Sequence, residues 1–121
     1  PQLSLYNSYP TVNTACTPNP AEDGAATNDV TLTNIVECCG GSALPNAYFK
    51  SSEAANAAAL ANGDTLYNDS CGTTGWMPPG FNTNYPFCQQ GDNTNNTIAG
   101  AGQEASWKVN ASGVINSLTI N

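Results

Sequence analysis

Residues 28–41 read NDVTLTNIVECCGG, and the conformation of this stretch decides the fold class. The spacing of Leu32, Ile35, Val36 and Cys39 is helical, which indicates one apolar helix face. Asn28 or Asp29 can cap the amino end of such a helix, and the glycine at 40 or 41 can end it. The β-branched residues of the same stretch favour a strand instead. The caps and the spacing together predict a helix.

A second helix is predicted further along the chain, over EAANAAALAN at 53–62. Alanine has the highest intrinsic helix propensity of all residues. Ser51 or Ser52 can cap this helix, and Gly63 can end it.

Three other segments have the pattern of β-strands. QLSLY at 2–6 and AYFK at 47–50 are short candidate strands, and SWKVNASGVINSLTIN at 106–121 alternates apolar and polar residues around a glycine-containing turn. The intervening residues 64–104 are predicted to be mostly irregular. We therefore expect one domain over 1–121 of the α+β class. A four-stranded, mainly antiparallel sheet would carry helices packed on it, in an αβα-sandwich-like arrangement stabilised by disulfides.

The charge of the chain argues against two classes of partner. Its 121 residues contain no histidine, and nine acids against two lysines give a net charge of −7. Nucleic acids and anionic membranes are bound through clusters of Lys and Arg. No apolar tract approaches the roughly 20 residues that a membrane span needs. We therefore expect neither nucleic-acid binding nor membrane insertion.

Five cysteines indicate structural disulfides. Adjacent cysteines such as Cys38 and Cys39 do not readily reach disulfide geometry with each other. We expect Cys71 to pair with Cys88, and Cys16 to pair with one of the two adjacent cysteines, Cys39 being the chosen partner. The fifth thiol is either buried or links two chains.

The expected compartment is extracellular. Disulfides imply an oxidising environment, and the three sequons beginning at Asn68, Asn95 and Asn110 fit a eukaryotic secretory route. The chain is then the mature form of a secreted protein, with a leader removed before Pro1.

Several kinds of catalysis are excluded by composition. Without histidine, the Ser-His-Asp and Cys-His nucleophile systems cannot form. The cysteines lack the spacing of a zinc site, and the sequence contains neither a P-loop nor a dinucleotide-binding fingerprint. We expect no cofactor and no catalytic metal.

The stretch CGTTGWMPPGFNTNYPFC at 71–88 carries aromatic and amide side chains without a formal charge. Aromatic rings suit the C–H faces of sugars, while amides both donate to and accept from hydroxyls. This stretch and the residues after it predict a glycan-binding site made of Trp76, Asn82, Asn84, Tyr85, Gln89 and Asp92. The alternative is packing, with Trp76 sealing the loop onto the sheet.

A catalytic alternative needs only two carboxyl groups, as in glycoside hydrolysis. Asp64 and Asp69 flank the end of the alanine-rich segment and lie close to the stretch at 71–88. The other candidate acids, none in a recognisable context, are Glu22, Asp23, Glu37, Glu53, Asp92 and Glu104. Caps and solubilising charges are the commoner roles for such acids. Asp92 with the amides of Asn93 and Asn95 would suit calcium, although their spacing matches no known calcium loop.

In size, polarity, cysteine content and helix-and-hairpin layout, the chain resembles the small secreted glycan-binding proteins of mushrooms, the family of the antiviral lectin of the shaggy ink-cap. The resemblance implies a four-stranded sheet sandwiched by helices, a homodimer, and recognition of fucosylated or GalNAc-containing glycans. The opening LSLYNSYPTVNTAC is similar to fungal cerato-platanins, which implies a defence or effector role at a cell wall.

The final strand, VINSLTIN at 114–121, indicates a homodimer on physical grounds as well. It can lie at a sheet edge, and free backbone groups at an edge tend to pair with another chain. The expected function is thus that of a secreted, non-catalytic lectin whose partners are glycans or glycoproteins.

Overall fold

A computed structural model describes residues 29–121 of the protein, apart from positions 39, 71, 73, 94 and 95. Its strands are β1 (Asp29–Leu32), β2 (Ile35–Glu37), β3 (Ala47–Lys50), β4 (Phe87–Gln90), β5 (Glu104–Val109) and β6 (Ile115–Ile120). The candidate strand at 2–6 and the cysteine at 16 lie outside the described residues.

The fold is mostly β, so the predicted α+β class is wrong. β1 and β3 form a two-stranded antiparallel sheet, and a four-stranded antiparallel sheet has the order β2-β4-β5-β6. Within the described part of the chain, the helical structure amounts to a single 3-10 turn at Ala57–Ala59. These residues accordingly pack no α-helix on either sheet and form no αβα sandwich.

Residues 29–37, within the stretch predicted to be a helix, instead supply one strand to each sheet. β1 and β2 are separated by a corner at Thr33 and Asn34, where Asn34 adopts a φ of 59°. Asparagine tolerates this left-handed conformation better than most residues. Leu32 and Ile35 are both fully buried, one on each side of the corner. Their three-residue spacing therefore reflects a turn between two strands and not one turn of a helix.

The alanine-rich segment is also not the predicted helix. Asn56 caps the short 3-10 turn, its side-chain oxygen accepting from the Ala59 amide at 3.1 Å, and the chain is extended again at Leu60. The flanks are fixed from outside, because the Glu53 carboxylate accepts from the Thr65 amide at 2.9 Å. A run of about ten residues is a marginal helix without packing to support it, and the local hydrogen bonds of asparagine compete with it.

Two strand predictions are confirmed. The AYFK segment is β3, and the carboxy-terminal hairpin is β5 with β6, in which Ala105, Trp107 and Val109 alternate as buried residues. AYFK pairs with β1, however, and does not join the four-stranded sheet. β4 lies within the segment that was expected to be irregular.

Isolated bridges connect the two sheets. Tyr67 bridges both Tyr48 of β3 and Gly75, and Thr65 bridges Val114 just before β6. Both sheets contribute to one hydrophobic cluster, so they enclose a common core in the manner of a β-sandwich. The largest fully buried side chains of this core are Trp76, Trp107, Phe49, Phe87, Leu32, Ile35, Leu66 and Ile115.

Candidate functional site

Trp76 lies in the core and does not face a ligand. Its side chain is 1% exposed, its indole Nε1 donates to the Pro45 carbonyl at 3.3 Å, and its ring meets Phe87 edge-on at 4.7 Å between centroids. The packing alternative therefore describes this residue.

Gln89 is fully buried and satisfies backbone groups from two loops. Its Nε2 donates to the carbonyl oxygens of Thr33 at 2.8 Å and Asn96 at 3.0 Å, and its Oε1 accepts from the Ile98 amide at 2.9 Å. Both Nε2 hydrogens are used and the side chain is fully buried, so this amide cannot reach a sugar hydroxyl at the surface. Its role is to position the two loops.

Tyr85 reaches the surface, with 37% of its side chain exposed. Its ring stacks edge-on against Phe81 at 5.2 Å, and Phe81 in turn meets the buried ring of Phe87 at 5.6 Å. Asn82 and Asn84 beside it are exposed, and the Asn82 side-chain oxygen accepts from the Asn84 amide at 2.8 Å. The Tyr85 loop (81–85) thus presents one supported aromatic ring flanked by two amides.

Asp92 lies elsewhere, at a cleft of about 500 Å³ on the four-stranded sheet. Phe87 and Gln89 of β4 point into the core, so Cys88 and Gln90 point out of the opposite face. The cleft opens on that outer face. Its lining comprises Asn34, Val36, Cys38, Gly40, Cys88, Gln90, Gly91, Asp92 and Glu104. The predicted site is therefore divided between the core, the Tyr85 loop and this cleft.

A disulfide between Cys38 and Cys88 lies in the cleft, with its Cα atoms 4.8 Å apart. Val36 and Cys88 are directly opposed in the β2–β4 ladder, and the Cys38 amide donates to the Pro86 carbonyl at 3.2 Å. The bond therefore joins two neighbouring strands. It corrects the predicted Cys71–Cys88 pair, whereas the presence of a disulfide is confirmed. Positions 16, 39 and 71 lie outside the described residues.

The polar wall of the cleft consists of amides and carboxylates. Gln90 and Glu104 are opposed across β4 and β5, and the Gln90 Nε2 donates to a Glu104 carboxylate oxygen at 3.0 Å. The Asp92 amide donates to the Thr97 hydroxyl at 3.2 Å, which fixes the loop that carries this acid. Neither lysine of the chain is among the lining residues. The cleft combines oxygen-rich walls with an apolar patch of Val36 and the disulfide.

Sequence reasoning missed Asn34 and Val36 as lining residues. Both belong to the stretch predicted to be helical, and a helix would turn Val36 away from Asn34. The β-branched residues of that stretch were the signal that could have identified a strand at Val36.

Comparison with known protein families, with curated protein sequences and with solved structures found no match. The fold and the cleft define a small, disulfide-bonded, mostly β protein with a polar cleft on its larger sheet. The glycan-binding function that the resemblance to mushroom lectins implied stays a prediction. The helix-covered sheet that it also implied is not present in the described part of residues 29–121.

Two further properties of the described residues bear on function. No group of three or more His, Cys, Asp or Glu side chains among them is placed to hold a metal ion. Across the same residues, the structure contains no helix with the length and apolar character needed to span a membrane.

Proposed function

We propose that this protein is a secreted, non-catalytic carbohydrate-binding protein that binds a neutral glycan in the cleft. The cleft itself carries the proposal, because it joins an apolar patch to several amides and carboxylates in a concave surface. Its volume of about 500 Å³ falls within the range typical of small-ligand sites, roughly 300–1,000 Å³.

The chemistry of the lining matches both aspects of a sugar ring. Val36 and the disulfide offer an apolar surface to the C–H face. Asn34 and Gln90 can donate to and accept from hydroxyls, while Asp92 and Glu104 accept from them strongly, since hydrogen bonds to charged groups are the stronger kind. Aliphatic and sulfur atoms thus take the place that the sequence predicted for Trp76.

The walls of the cleft are held before any ligand arrives. Gln89 links the corner at Thr33, next to Asn34, to the loop at 96–98 that follows Asp92. The disulfide ties the end of β2 to β4 within the cleft. Walls that are already ordered reduce the entropic cost of binding, which supports a binding role for a small protein.

The Tyr85 loop is a second surface that could contribute to the same function. Tyr85 presents an exposed ring supported by Phe81, and the amides of Asn82 and Asn84 flank it. It lies on the Phe87 side of the sheet, away from the outer face. Variants at Tyr85 therefore separate the loop from the cleft.

A glycan hydrolase is the second candidate function. The observation that favours it is the presence of two carboxylates, Asp92 and Glu104, in one cleft. Glycoside hydrolysis requires such a pair, separated by about 5–9.5 Å. A defence protein of the cell wall remains the third possibility, for a protein that recognises no glycan.

A glycan array on the native protein tests the proposal, followed by calorimetry and a reducing-sugar assay with any glycan that binds. We expect binding without product release. Asp92→Asn should weaken it about tenfold or more, because a hydrogen bond to a charged group contributes roughly 1.5–3 kcal/mol. Asn116→Ala, an exposed polar change on β6 outside the cleft, is the matched control and should leave affinity unchanged.

Each other result has a defined meaning. Absence of binding to every glycan on the array would contradict the binding proposal. Release of reducing sugar that is lost in both Asp92→Asn and Glu104→Gln would replace it with the hydrolase. Loss of affinity in Tyr85→Ala alone would move the site from the cleft to the Tyr85 loop.

A further inference from the structure

The sequon Asn110-Ala111-Ser112 forms the turn between β5 and β6, and all three residues are exposed. The next residue, Gly113, is buried. A side chain at 113 would meet the Leu66 carbonyl and the Trp76 amide nitrogen. The base of the turn is therefore packed against the body of the protein, while the sequon projects into solvent.

The two ends of the Asn110 side chain have different environments. Its Oδ1 accepts from the Ser112 amide at 2.8 Å and from the Val114 amide at 3.0 Å. Its Nδ2 makes no hydrogen bond to any residue that the structure describes. The oxygen holds the turn, and the nitrogen is available for substitution without loss of a contact.

We infer that Asn110 is the acceptor of an N-linked oligosaccharide, an inference that rests on the proposed secretory route but not on glycan binding. The donor is a polyprenyl-pyrophosphate-linked oligosaccharide, used by a transferase. The Asn110 Nδ2 forms a bond to the anomeric carbon. The bond from that carbon to the pyrophosphate oxygen breaks, the pyrophosphate leaves with the electron pair, and an Nδ2 proton passes to a base of the transferase.

A glycan at this position leaves the cleft open. The cleft is at the Glu104 end of β5, and the sequon follows Val109 at the other end. At about 3.3 Å per residue, these two ends are roughly 17 Å apart. The glycan would extend from the far end of the sheet.

The test is production of the full chain through the secretory pathway of a eukaryotic host. Intact mass and peptide mapping are measured before and after treatment with a peptide N-glycosidase, which converts a glycosylated asparagine to aspartate. We expect position 110 to carry a glycan in the wild-type protein. The sequons at Asn68 and Asn95 are mapped separately in the same digest.

Two variants destroy the sequon while keeping the turn. Asn110→Asp retains the oxygen that accepts from residues 112 and 114, and Ser112→Ala retains the backbone amide that donates to it. Both should lose the mass at 110 and still unfold at nearly the wild-type temperature. An unmodified Asn110 in wild-type protein, whether recovered from the medium or from the secretory compartments of the cells, would overturn the inference.

Discussion

The side-chain nitrogen of Gln89 lies 2.8 Å from the carbonyl oxygen of Thr33, a residue 56 positions earlier in the chain. This hydrogen bond ties the corner between β1 and β2 to the strand at the centre of the cleft. The same amide holds the loop at 96–98. One buried side chain thus positions both walls of the proposed binding site.

Removing this amide should destabilise the protein strongly. Gln89→Leu leaves two carbonyls and one amide of the backbone without their side-chain partner, and an unsatisfied buried polar group costs about 1–3 kcal/mol. We expect a loss of about 3 kcal/mol or more in the free energy of unfolding, measured by urea denaturation. Gln90→Leu, the same change one residue along on the exposed face, should stay within about 0.5 kcal/mol. Equal losses in both variants would contradict the role of Gln89.

The variant Gln89→Glu should make stability dependent on pH. Burial and two nearby carbonyls raise the pKa of the introduced carboxyl above its unfolded value of about 4.3. A protonated carboxyl can still donate one hydrogen bond. The stability deficit relative to wild type is therefore smallest below about pH 4 and grows as the pH rises through the raised folded-state pKa. The check is to measure the urea midpoints of both proteins from below about pH 4 upward. A stability deficit that is independent of pH would argue against the raised pKa.

Loss of the disulfide should both destabilise the fold and loosen the cleft. Cys38 and Cys88 are separated by 50 residues, and closing a loop of that size stabilises by about 4 kcal/mol in a polymer-entropy estimate. The double variant Cys38→Ala/Cys88→Ala should lose roughly 2–4 kcal/mol in urea denaturation. Peptide mapping without reduction checks the pairing itself. A peptide joining Cys71 to Cys88 would show that the connectivity is wrong.

Two glycines with similar backbone angles should respond differently to alanine. Gly113 has a φ of 84°, and a side chain there meets the backbone of Leu66 and Trp76. Gly80 has a φ of 90°, with nothing within 4 Å of the added atom. Gly80→Ala should cost only the backbone strain, about 1–2 kcal/mol. Gly113→Ala should cost at least about 3 kcal/mol, because the clash adds to the strain. Similar thermal midpoints for the two variants would refute the close packing at Gly113.

The predicted homodimer would pair through the uncovered end of β6, which is shorter than the whole strand at 114–121 that the sequence suggested. β6 is the edge strand of the four-stranded sheet among the described residues, but it is covered as far as Leu118. The Leu118 amide donates to the Asn62 side chain at 2.9 Å, and the Ile115 amide donates to the Asp64 carbonyl at 2.8 Å. Beyond these contacts, Ile120 is 45% exposed. If the edge pairs with a second copy, Ile120→Lys should convert a dimer into a monomer of 12.5 kDa.

Light scattering at micromolar concentration measures this change. Asn84→Lys adds the same charge on the Tyr85 loop and should leave the mass unaltered. A single-chain mass for the wild-type protein would rule out the dimer.

The strands that could be predicted are those in which buried and polar residues alternate along the sequence itself. In β5 the buried residues alternate with polar ones, and AYFK has the same two-residue period, so both were recognisable as strands. β4 was missed because Phe87, Cys88 and Gln89 are all buried, which removes the alternation. Gln89 is buried despite its amide because distant backbone groups satisfy it.

The lining of the proposed cleft was predicted only in part, for a related reason. Asp92 was identified as a candidate, and it does line the cleft. Trp76 and Gln89 have suitable chemistry for a sugar but lie in the core, and composition cannot distinguish an exposed amide from a buried one. Cys38 could not be chosen over Cys71 as the partner of Cys88, since pairing depends on which strands are neighbours.

The sequence by itself determined the carboxy-terminal hairpin, the strand at 47–50, the absence of histidine chemistry and the negative charge. Each of these follows from residue identity or from alternation over a few positions. Only the tertiary structure decided that residues 29–37 are two strands, that the alanine-rich segment is not a helix, and that Tyr85 faces outward while Trp76 does not. Those outcomes depend on contacts between residues far apart in the chain, whose energies outweigh local propensities of less than about 1 kcal/mol per residue.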